Sequence, residues 1–169
     1  AGPHKLMLAA GAQKKDGFVH HDRELLFPHH EIAHDLNVFP WPWPDNSWDF
    51  IEFGDCLEHL RADIIEVMDE LWRIIAPGGY VFIHTAEAGT WQLMLDPTHV
   101  RGFMLESMDY FDPDTQRGQV YSYSERKWRI EVKTADPAGL IFVLQPRKDV
   151  AQDGHRPGLA LPASAGVTA

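Results

Sequence analysis

Acidic and histidine side chains recur after several predicted strands of this sequence. Asp55 follows one apolar run, His84 ends the next, and His59 and His99 lie in the segments that come after these two runs. In open α/β sheets, ligands bind outside the carboxyl ends of parallel strands. Histidine is the natural general base near neutral pH. We therefore expect a ligand site at this edge of a sheet, with Asp55, His59, His84 and His99 as candidate catalytic residues. For His59, a role in capping or orienting the helix that follows is an equal alternative.

Two other histidine groups invite comparison with metal sites. They are His20-His21-Asp22 and His29-His30-Glu31. Adjacent residues on a strand point to opposite faces, so neighbouring histidines do not converge on one ion. The sequence also lacks the ligand spacing that would close a zinc site. We therefore expect no metal at either group.

Short apolar runs predict the strands that position these side chains. The runs cover residues 5–10, 18–22, 31–36, 50–53 and 80–84, and the last is continuously apolar up to its histidine. A continuous run is typical of a central strand in a parallel sheet. The first two strands are separated by only residues 11–17, whereas a parallel crossover ordinarily needs a dozen or more residues. The sequence thus predicts that the first crossover helix is missing or reduced to a turn.

One amphipathic helix and one hairpin complete the predicted fold. Apolar residues recur at helical spacing after Asp63, and Pro77-Gly78-Gly79 is expected to stop the helix. Residues 86–103 read as a long loop with about one helical turn, and residues 105–111 as a short helix. Alternating residues in 128–133, a turn, and residues 140–144 predict a β-hairpin. The order indicates a Rossmann-like α/β fold: an open, mostly parallel sheet with a C-terminal antiparallel hairpin and no full first crossover helix.

A stiff aromatic segment, Phe39 to Pro44, lies between two predicted strands. It alternates prolines with Trp41 and Trp43, and Trp48 follows shortly after. Proline excludes helix interiors and central strands. Large aromatic residues are common both in cores and around binding sites. Because both ends of the segment lead to the same edge of the sheet, we favour a pocket rim over core filling.

The composition describes an ordinary globular chain with a strong acidic excess. The 169 residues include 44% hydrophobic and 24% charged side chains, one cysteine, and a net charge of −10. A length of this order suits one domain, expected over residues 1–148, with a loosely ordered tail at 149–169. The single cysteine fits a reducing compartment, and we expect a cytoplasmic protein of a bacterial or phage-infected cell. The charge disfavours nucleic-acid binding, and the sequence contains no apolar run long enough for a membrane span.

Four local patterns resemble the compact class I S-adenosylmethionine-dependent methyltransferases of the type 11 group. They are Leu6–Gly11, Gly17–Asp22, the stretch from His34-Asp35-Leu36 through Pro44–Asp49, and Cys56–Leu60 together with Leu71–Gly79. The last two patterns are fairly specific when taken together. The resemblance covers about residues 5–145. It departs from the family at Ala9, where a glycine is usual.

The resemblance implies a cofactor site for S-adenosylmethionine. Asp22 would accept hydrogen bonds from the ribose hydroxyls, and Asp35 with Leu36 would hold the adenine. Gly11 would let the backbone approach the ligand closely. The full set of expected cofactor-binding residues is Ala9, Gly11, Asp22, Asp35, Leu36 and Asp55.

Two functions follow from these expectations. The first is methyl transfer by direct displacement to a small polar or glycan-like acceptor, held between the aromatic segment and residues 86–103. The alternative is a catalytically silent, Rossmann-like cofactor-binding or partner subunit, which Ala9 and the short first crossover favour. The expected partner is a small-molecule substrate, without a membrane or nucleic acid, and the small size leaves room for a homodimer.

Overall fold

The structure is a computed structural model that describes residues 2–148. A seven-stranded sheet forms the centre of this part of the chain. The strand order in space is β3-β2-β1-β4-β5-β7-β6. Strands β1 to β5 pair in parallel, and β7 runs antiparallel to both β5 and β6. The strands are β1 Lys5–Leu8, β2 Phe18–Asp22, β3 Ile32–Ala33, β4 Trp48–Gly54, β5 Ile75–Thr85, β6 Trp128–Asp136 and β7 Gly139–Pro146. The predicted Rossmann-like sheet with a C-terminal antiparallel hairpin is confirmed.

The first crossover contains no helix. Strands β1 and β2 are parallel neighbours, and the chain between Leu8 and Phe18 makes only turns. β1 ends two residues earlier than predicted because Ala9 adopts a left-handed conformation with φ of 52°. Such a conformation interrupts the extended backbone that strand pairing requires. The predicted loss of the first crossover helix is confirmed.

The main helix, α1, spans Ile64–Ile74 and joins β4 to β5. The Asp63 carboxylate accepts a hydrogen bond from the Ile65 N–H at 2.8 Å, which caps the helix. The apolar stripe of α1 is fully buried: Val67, Met68, Leu71 and Ile74. Burial of this stripe against the sheet is what stabilises a helix of this length.

The predicted stop signal of α1 was placed wrongly. The helix ends at Ile74, and Ile75 is already extended and paired with Trp48 of β4. The Pro77-Gly78-Gly79 segment therefore lies inside β5, where the β4–β5 register shifts. A Cβ on Gly79 would come within 2.8 Å of the Asp49 carbonyl oxygen, so only glycine fits this close approach.

The remaining helices are short. α2 spans Trp91–Leu95 within the long loop after β5, α3 spans Gln116–Val120, and 3-10 turns cover Leu57–His59 and Leu105–Phe111. The single helical turn expected in residues 86–103 is confirmed, and the short helix expected at 105–111 is of the 3-10 type. No helix within residues 2–148 is long and apolar enough to cross a membrane. The tail predicted at 149–169 lies outside the described residues.

The main core lies on one face of the sheet. On β4, Ile51 and Phe53 are completely buried, and their partners on β5, Val81 and Ile83, are equally buried. Phe82, which points to the other face, is half-buried. The continuous apolar run 80–84 lies in β5, which is an interior strand between β4 and β7, as the prediction of a central strand requires. Its burial alternates with the period of two expected of a sheet covered mainly on one side.

The aromatic segment is part of this core. Trp41, Trp43 and Trp48 are 2%, 5% and 9% exposed. The Arg73 guanidinium of α1 donates hydrogen bonds to the Trp43 carbonyl at 2.8 Å and the Trp41 carbonyl at 3.0 Å. The preference for a pocket rim is therefore wrong. The tryptophans pack in the core cluster that α1 shares with the sheet. Trp41 and Trp43 lie in the connection from β3 to β4, which contains no helix.

Candidate functional site

The carboxyl ends of β1 and β2 form a turn around one carboxylate. The Gly11 N–H donates to Asp22 Oδ2 at 2.7 Å, and the Arg23 N–H donates to Asp22 Oδ1 at 2.7 Å. Gly11 has φ of 53°, and a Cβ added there would meet no atom within 4 Å. A carboxylate offers about four lone-pair positions, so each Asp22 oxygen can accept a further hydrogen bond from a ligand in this open space.

A buried histidine fixes this turn from below. The Ala9 N–H donates to His21 Nδ1 at 3.3 Å, so the ring proton is on Nε2, which donates to the His34 carbonyl at 2.9 Å. Burial lowers the pKa of His21 to about 4, which keeps the ring neutral. His21 thereby ties the end of β1 to the end of β3. From the sequence, His21 was a candidate only as a metal ligand.

Asp35 and Leu36 follow β3 but have different surroundings. Asp35 Oδ1 accepts hydrogen bonds from the Asn37 N–H at 2.9 Å and the Asn37 amide at 2.8 Å. The first of these bonds lowers the pKa of Asp35, so the carboxylate stays charged. Leu36 is 4% exposed and belongs to the core. Of the two residues expected at the adenine, Asp35 is thus the accessible one.

Asp55 and His84 form a pair at the ends of β4 and β5. His84 Nδ1 donates to Asp55 Oδ1 at 2.6 Å, and His84 Nε2 lies 3.6 Å from Asp136 Oδ1 on the hairpin. The hydrogen bond to Asp55 raises the pKa of His84, against the opposing effect of burial. Two carboxylates beside one ring favour the imidazolium. The shift favours the protonated ring, which cannot accept a further proton, and so acts against a general-base role for His84.

His59 and His99 form the second pair, with a third residue that sequence reasoning missed. Their ring centroids are 4.5 Å apart. Glu58 is 2% exposed, accepts a hydrogen bond from Thr85 Oγ1 at 2.8 Å, and lies 3.9 Å from His99 Nε2. The signal for Glu58 is its place in the Leu-Glu-His pattern before α1, because an acid is buried this fully only when it has a specific environment.

A cavity of about 250 Å³ opens at this edge of the sheet. Its lining residues come from the ends of β4 and β5, from α2 and the loop after it, and from the hairpin turn: Asp55, Glu58, His59, Ala86, Gln92, Leu95, Asp96, His99 and Ala138. Three of the four predicted catalytic residues therefore line one cavity, and His84 lies behind Asp55. The aromatic segment does not contribute to this lining. The expected position of the acceptor, between that segment and residues 86–103, stays a prediction.

A second cavity, of about 320 Å³, lies beside Trp72 and Arg73 of α1 and is lined by basic residues. Its cations serve the structure: Lys148 Nζ donates to the Ile75 carbonyl at 2.6 Å and lies 4.3 Å above the Trp72 ring. Burial lowers the pKa of Lys148 to about 8. This cavity is remote from the ends of β1 and β2, and we assign the site to the smaller one.

In the two histidine groups considered for metal binding, His20 and His30 contact backbone atoms. His20 Nε2 accepts a hydrogen bond from the Lys15 N–H at 2.9 Å. His30 Nδ1 and Nε2 lie 3.0 Å and 2.7 Å from the carbonyl oxygens of Glu24 and Gly11. These ring nitrogens connect the loops around β2 to one another.

Comparison with known proteins assigns the fold and the family. The sequence profile of the methyltransferase domain family matches residues 7–153, most of the chain. No curated protein matches the chain significantly in sequence.

Solved structures resemble the described fold at low sequence identity. One is the putative methyltransferase in complex with the Trm112 methyltransferase activator of Haloferax volcanii, with a TM-score of 0.58, 12% identity, and coverage of 85% of this chain and 82% of that one. A second is a SAM-dependent methyltransferase from Aquifex aeolicus, with a TM-score of 0.52, 14% identity, and coverage of 85% and 81%. A third is the trans-methyltransferase CalH in complex with SAH, with a TM-score of 0.57, 13% identity, and coverage of 86% and 51%.

Proposed function

Because this chain belongs to the methyltransferase domain family, we propose that it binds S-adenosylmethionine at the ends of β1 to β4 and methylates a small polar acceptor. The observation that carries the proposal is the Gly11–Asp22 turn, where a half-buried carboxylate faces open space at the carboxyl edge of a parallel sheet. A ribose with two neighbouring hydroxyls suits this carboxylate, as in other folds of this topology. The residues present therefore fit the cofactor.

The bound cofactor supplies an activated methyl group, and the protein aligns the acceptor with it. Alignment of two reactants is a large part of the rate advantage for such a displacement. Asp22 and Asp35 hold the cofactor, while the cavity of about 250 Å³ receives the acceptor. A cavity of this size supports a small molecule, or one unit of a glycan-like chain, as the acceptor.

The lining of the cavity describes the acceptor further. Gln92 and Asp96 offer hydrogen-bond donors and acceptors, while Leu95 on α2 offers an apolar surface. Trp91 on the same helix is 67% exposed and lies one turn away from Leu95. A polar ring with one apolar face is the class of acceptor that matches both surfaces.

We test cofactor binding by titrating the protein with S-adenosylmethionine and S-adenosylhomocysteine in a calorimeter. We expect binding of both ligands, and a loss of about 10-fold or more in affinity for Asp22→Asn, since one strong acceptor for the ribose is removed. Asp16→Asn, an exposed acid in the adjoining loop, is the matched control and should bind normally. Absence of binding at millimolar ligand would contradict the assignment as a methyltransferase. Equal affinity of the two variants would instead remove Asp22 from the site.

A silent cofactor-binding or partner subunit remains a second candidate because of Ala9. This residue holds φ of 52° at the turn where glycine is usual in the family it resembles, and its methyl group narrows the turn. If the native chain fails to bind S-adenosylmethionine and Ala9→Gly binds it, the site has decayed and the silent subunit is the better description.

A further inference from the structure

We propose that Glu58, His59 and His99 bind one divalent transition-metal ion, and that this ion takes an oxygen atom of the methyl acceptor. The first half stands on the geometry of the three side chains alone. The second half rests on the proposed function, since the acceptor cavity is defined by it.

The three side chains are already gathered around one point. One ligand atom from each residue lies within 4.8 Å of the other two, and the Glu58 Oε1–His99 Nε2 distance is 3.9 Å. Ligands at zinc–nitrogen distances of about 2.0–2.1 Å in a tetrahedral site stand about 3.3 Å apart. The cluster therefore needs only a modest contraction to close on an ion, and His99 lies on a loop that can supply it.

The hydrogen bonds leave both imidazoles ready to coordinate. His99 Nδ1 is 2.9 Å from the Leu93 carbonyl, which can only accept, so this nitrogen carries the ring proton. Thr98 Oγ1 donates its proton to Asp96 Oδ1 at 2.7 Å, so at 2.9 Å it must accept from His59 Nδ1. In the neutral imidazole, each ring therefore presents the Nε2 lone pair. Metal-binding histidines are commonly fixed in this way by a partner on the other nitrogen.

The charge of the cluster also calls for a cation. Glu58 is 2% exposed and Thr85 Oγ1 occupies one of its oxygens at 2.8 Å. Among residues 2–148, no lysine or arginine forms an ion pair with Glu58. The nearest basic group is the His99 ring, whose Nε2 lies 3.9 Å from Glu58 Oε1 and carries no charge while that nitrogen is unprotonated. A buried carboxylate without a close cation is costly. A divalent ion held by Glu58, His59 and His99 would supply that charge.

The donor set indicates which ions fit. Two imidazole nitrogens and one carboxylate are ligands of zinc and its neighbours, and three protein ligands leave a position free for a further molecule. Magnesium and calcium prefer sets made of oxygen atoms. His59, His99 and Glu58 all line the cavity assigned to the acceptor, so the free position faces that cavity.

The ion would act on an acceptor hydroxyl. Coordination makes a hydroxyl more acidic, so its proton passes to solvent water near neutral pH. The oxygen then attacks the sulfonium methyl carbon; the new C–O bond forms as the C–S bond breaks, and the electron pair of that bond stays on sulfur. The products are the methyl ether, S-adenosylhomocysteine and one proton. No separate protein base is required for this step.

Metal binding is measured on chelator-treated protein by calorimetry with Zn²⁺ and by the visible spectrum of added Co²⁺. We expect one ion per chain and a loss of affinity of about 100-fold or more for His99→Ala and for His59→Ala. His4→Ala, an exposed histidine far from the cluster in sequence, is the control and should leave affinity unchanged. Because Glu58→Gln alters a buried group, the folding of this variant is checked by circular dichroism. If Glu58→Gln does not fold, the variant of half-buried His59 still tests the site. Sub-stoichiometric binding, or equal affinity in the histidine variants, overturns the metal site.

The second half is tested with catechol, a vicinal diol, added to the Co²⁺-loaded protein. A change in the Co²⁺ spectrum is expected, and an unchanged spectrum at saturating catechol would overturn acceptor coordination. Titration with S-adenosylmethionine on the same samples keeps the two proposals apart. Metal binding without cofactor binding refutes the proposed function alone. Cofactor binding that survives in His99→Ala, a variant expected to lose the metal, leaves the cofactor assignment intact.

Discussion

Neighbouring carboxylates favour the protonated form of His84. Its ring lies between Asp55 Oδ1 at 2.6 Å and Asp136 Oδ1 at 3.6 Å, one on each side. The pKa of His84 is raised mainly by the hydrogen bond to Asp55. A group whose folded-state pKa lies above its unfolded value stabilises the fold while it is charged. This contribution is fully present below about pH 6.5, the ordinary histidine pKa, and is lost as the pH rises through the folded-state value.

We therefore expect His84→Gln to destabilise the protein more at pH 5.5 than at pH 9. The difference between the two pH values should be on the order of 1 kcal/mol, since Asp55 is largely exposed and solvent weakens the pair. Urea unfolding at both pH values measures it. In the Asp55→Asn background the pH dependence of the His84→Gln effect should shrink. A His84 titration by NMR with a midpoint at or below the ordinary value would contradict the assignment.

The sequence predicts which residues lie at the strand ends, but it does not predict which of their side chains contact one another. The carboxyl ends of parallel strands converge, so Asp55, His59, His84 and His99 were expected at one edge, and the structure places them there. Their division into an Asp55–His84 pair and a His59–His99 pair depends on side-chain rotamers and on the path of residues 86–103. Local spacing carries no information about that path. Glu58 was missed for the same reason, because its burial depends on Thr85 from another strand.

At the scale of elements, α1 and the aromatic segment behave as one unit. Arg73 donates to Glu70 Oε1 and Oε2 at 2.7 Å each, and Glu70 Oε2 also accepts from the Trp41 N–H at 2.7 Å. The same guanidinium reaches the Trp41 and Trp43 carbonyls. A planar guanidinium with several fixed donors suits this role, which lysine cannot reproduce. The helix thus holds the segment that replaces a crossover helix.

We expect Arg73→Met to lower the free energy of unfolding by about 3–5 kcal/mol, because it leaves the Glu70 carboxylate nearly buried and unpaired. Arg73→Lys should cost less, since a positive charge is kept. Arg61→Met, at an exposed position before the helix, should change stability by less than about 0.5 kcal/mol. Urea denaturation of the three variants provides the comparison. A cost for Arg73→Met similar to that of Arg61→Met would show that the segment is held by its aromatic contacts alone.

The elements themselves were predictable where a local pattern was strong. The capped start of α1 and the hairpin follow from spacing and turn residues, and the structure has both. The burial of the tryptophans was not predictable, because a proline-rich segment is equally suited to the edge of a pocket and to the core. Arg73 and Glu70, one helical turn apart on α1, decide it. The start of β5 at Ile75 was also hidden, since it depends on pairing with Trp48.

At the scale of the whole molecule, the sheet is unequally covered. α1 and the aromatic segment pack on the face that carries Ile51, Phe53, Val81 and Ile83, all completely buried. Half-buried Phe82 belongs to the opposite face. Helices on both faces are the rule for parallel sheets, so this chain departs from the rule where its first crossovers are reduced to turns.

Neighbouring positions of β5 should therefore respond differently to truncation. We expect Ile83→Ala to cost about 2–5 kcal/mol, as for a fully buried aliphatic residue, while Phe82→Ala should cost less although it removes more atoms. Chemical denaturation at 25 °C measures both. The reverse order would mean that the second face carries as much of the stability as the first.

The spacing of the strands along the chain has a consequence for assembly. β1 pairs with β2 across a short connection but also with β4, where Lys5 faces Phe50. As the chain leaves the ribosome, β2 is available to β1 almost at once, whereas the other edge of β1 stays open until β4 emerges. The helix that covers these strands emerges later still. An unpaired apolar edge is the feature most prone to wrong association during folding. We therefore expect the chain to be most prone to wrong association during synthesis, between the emergence of β2 and that of α1.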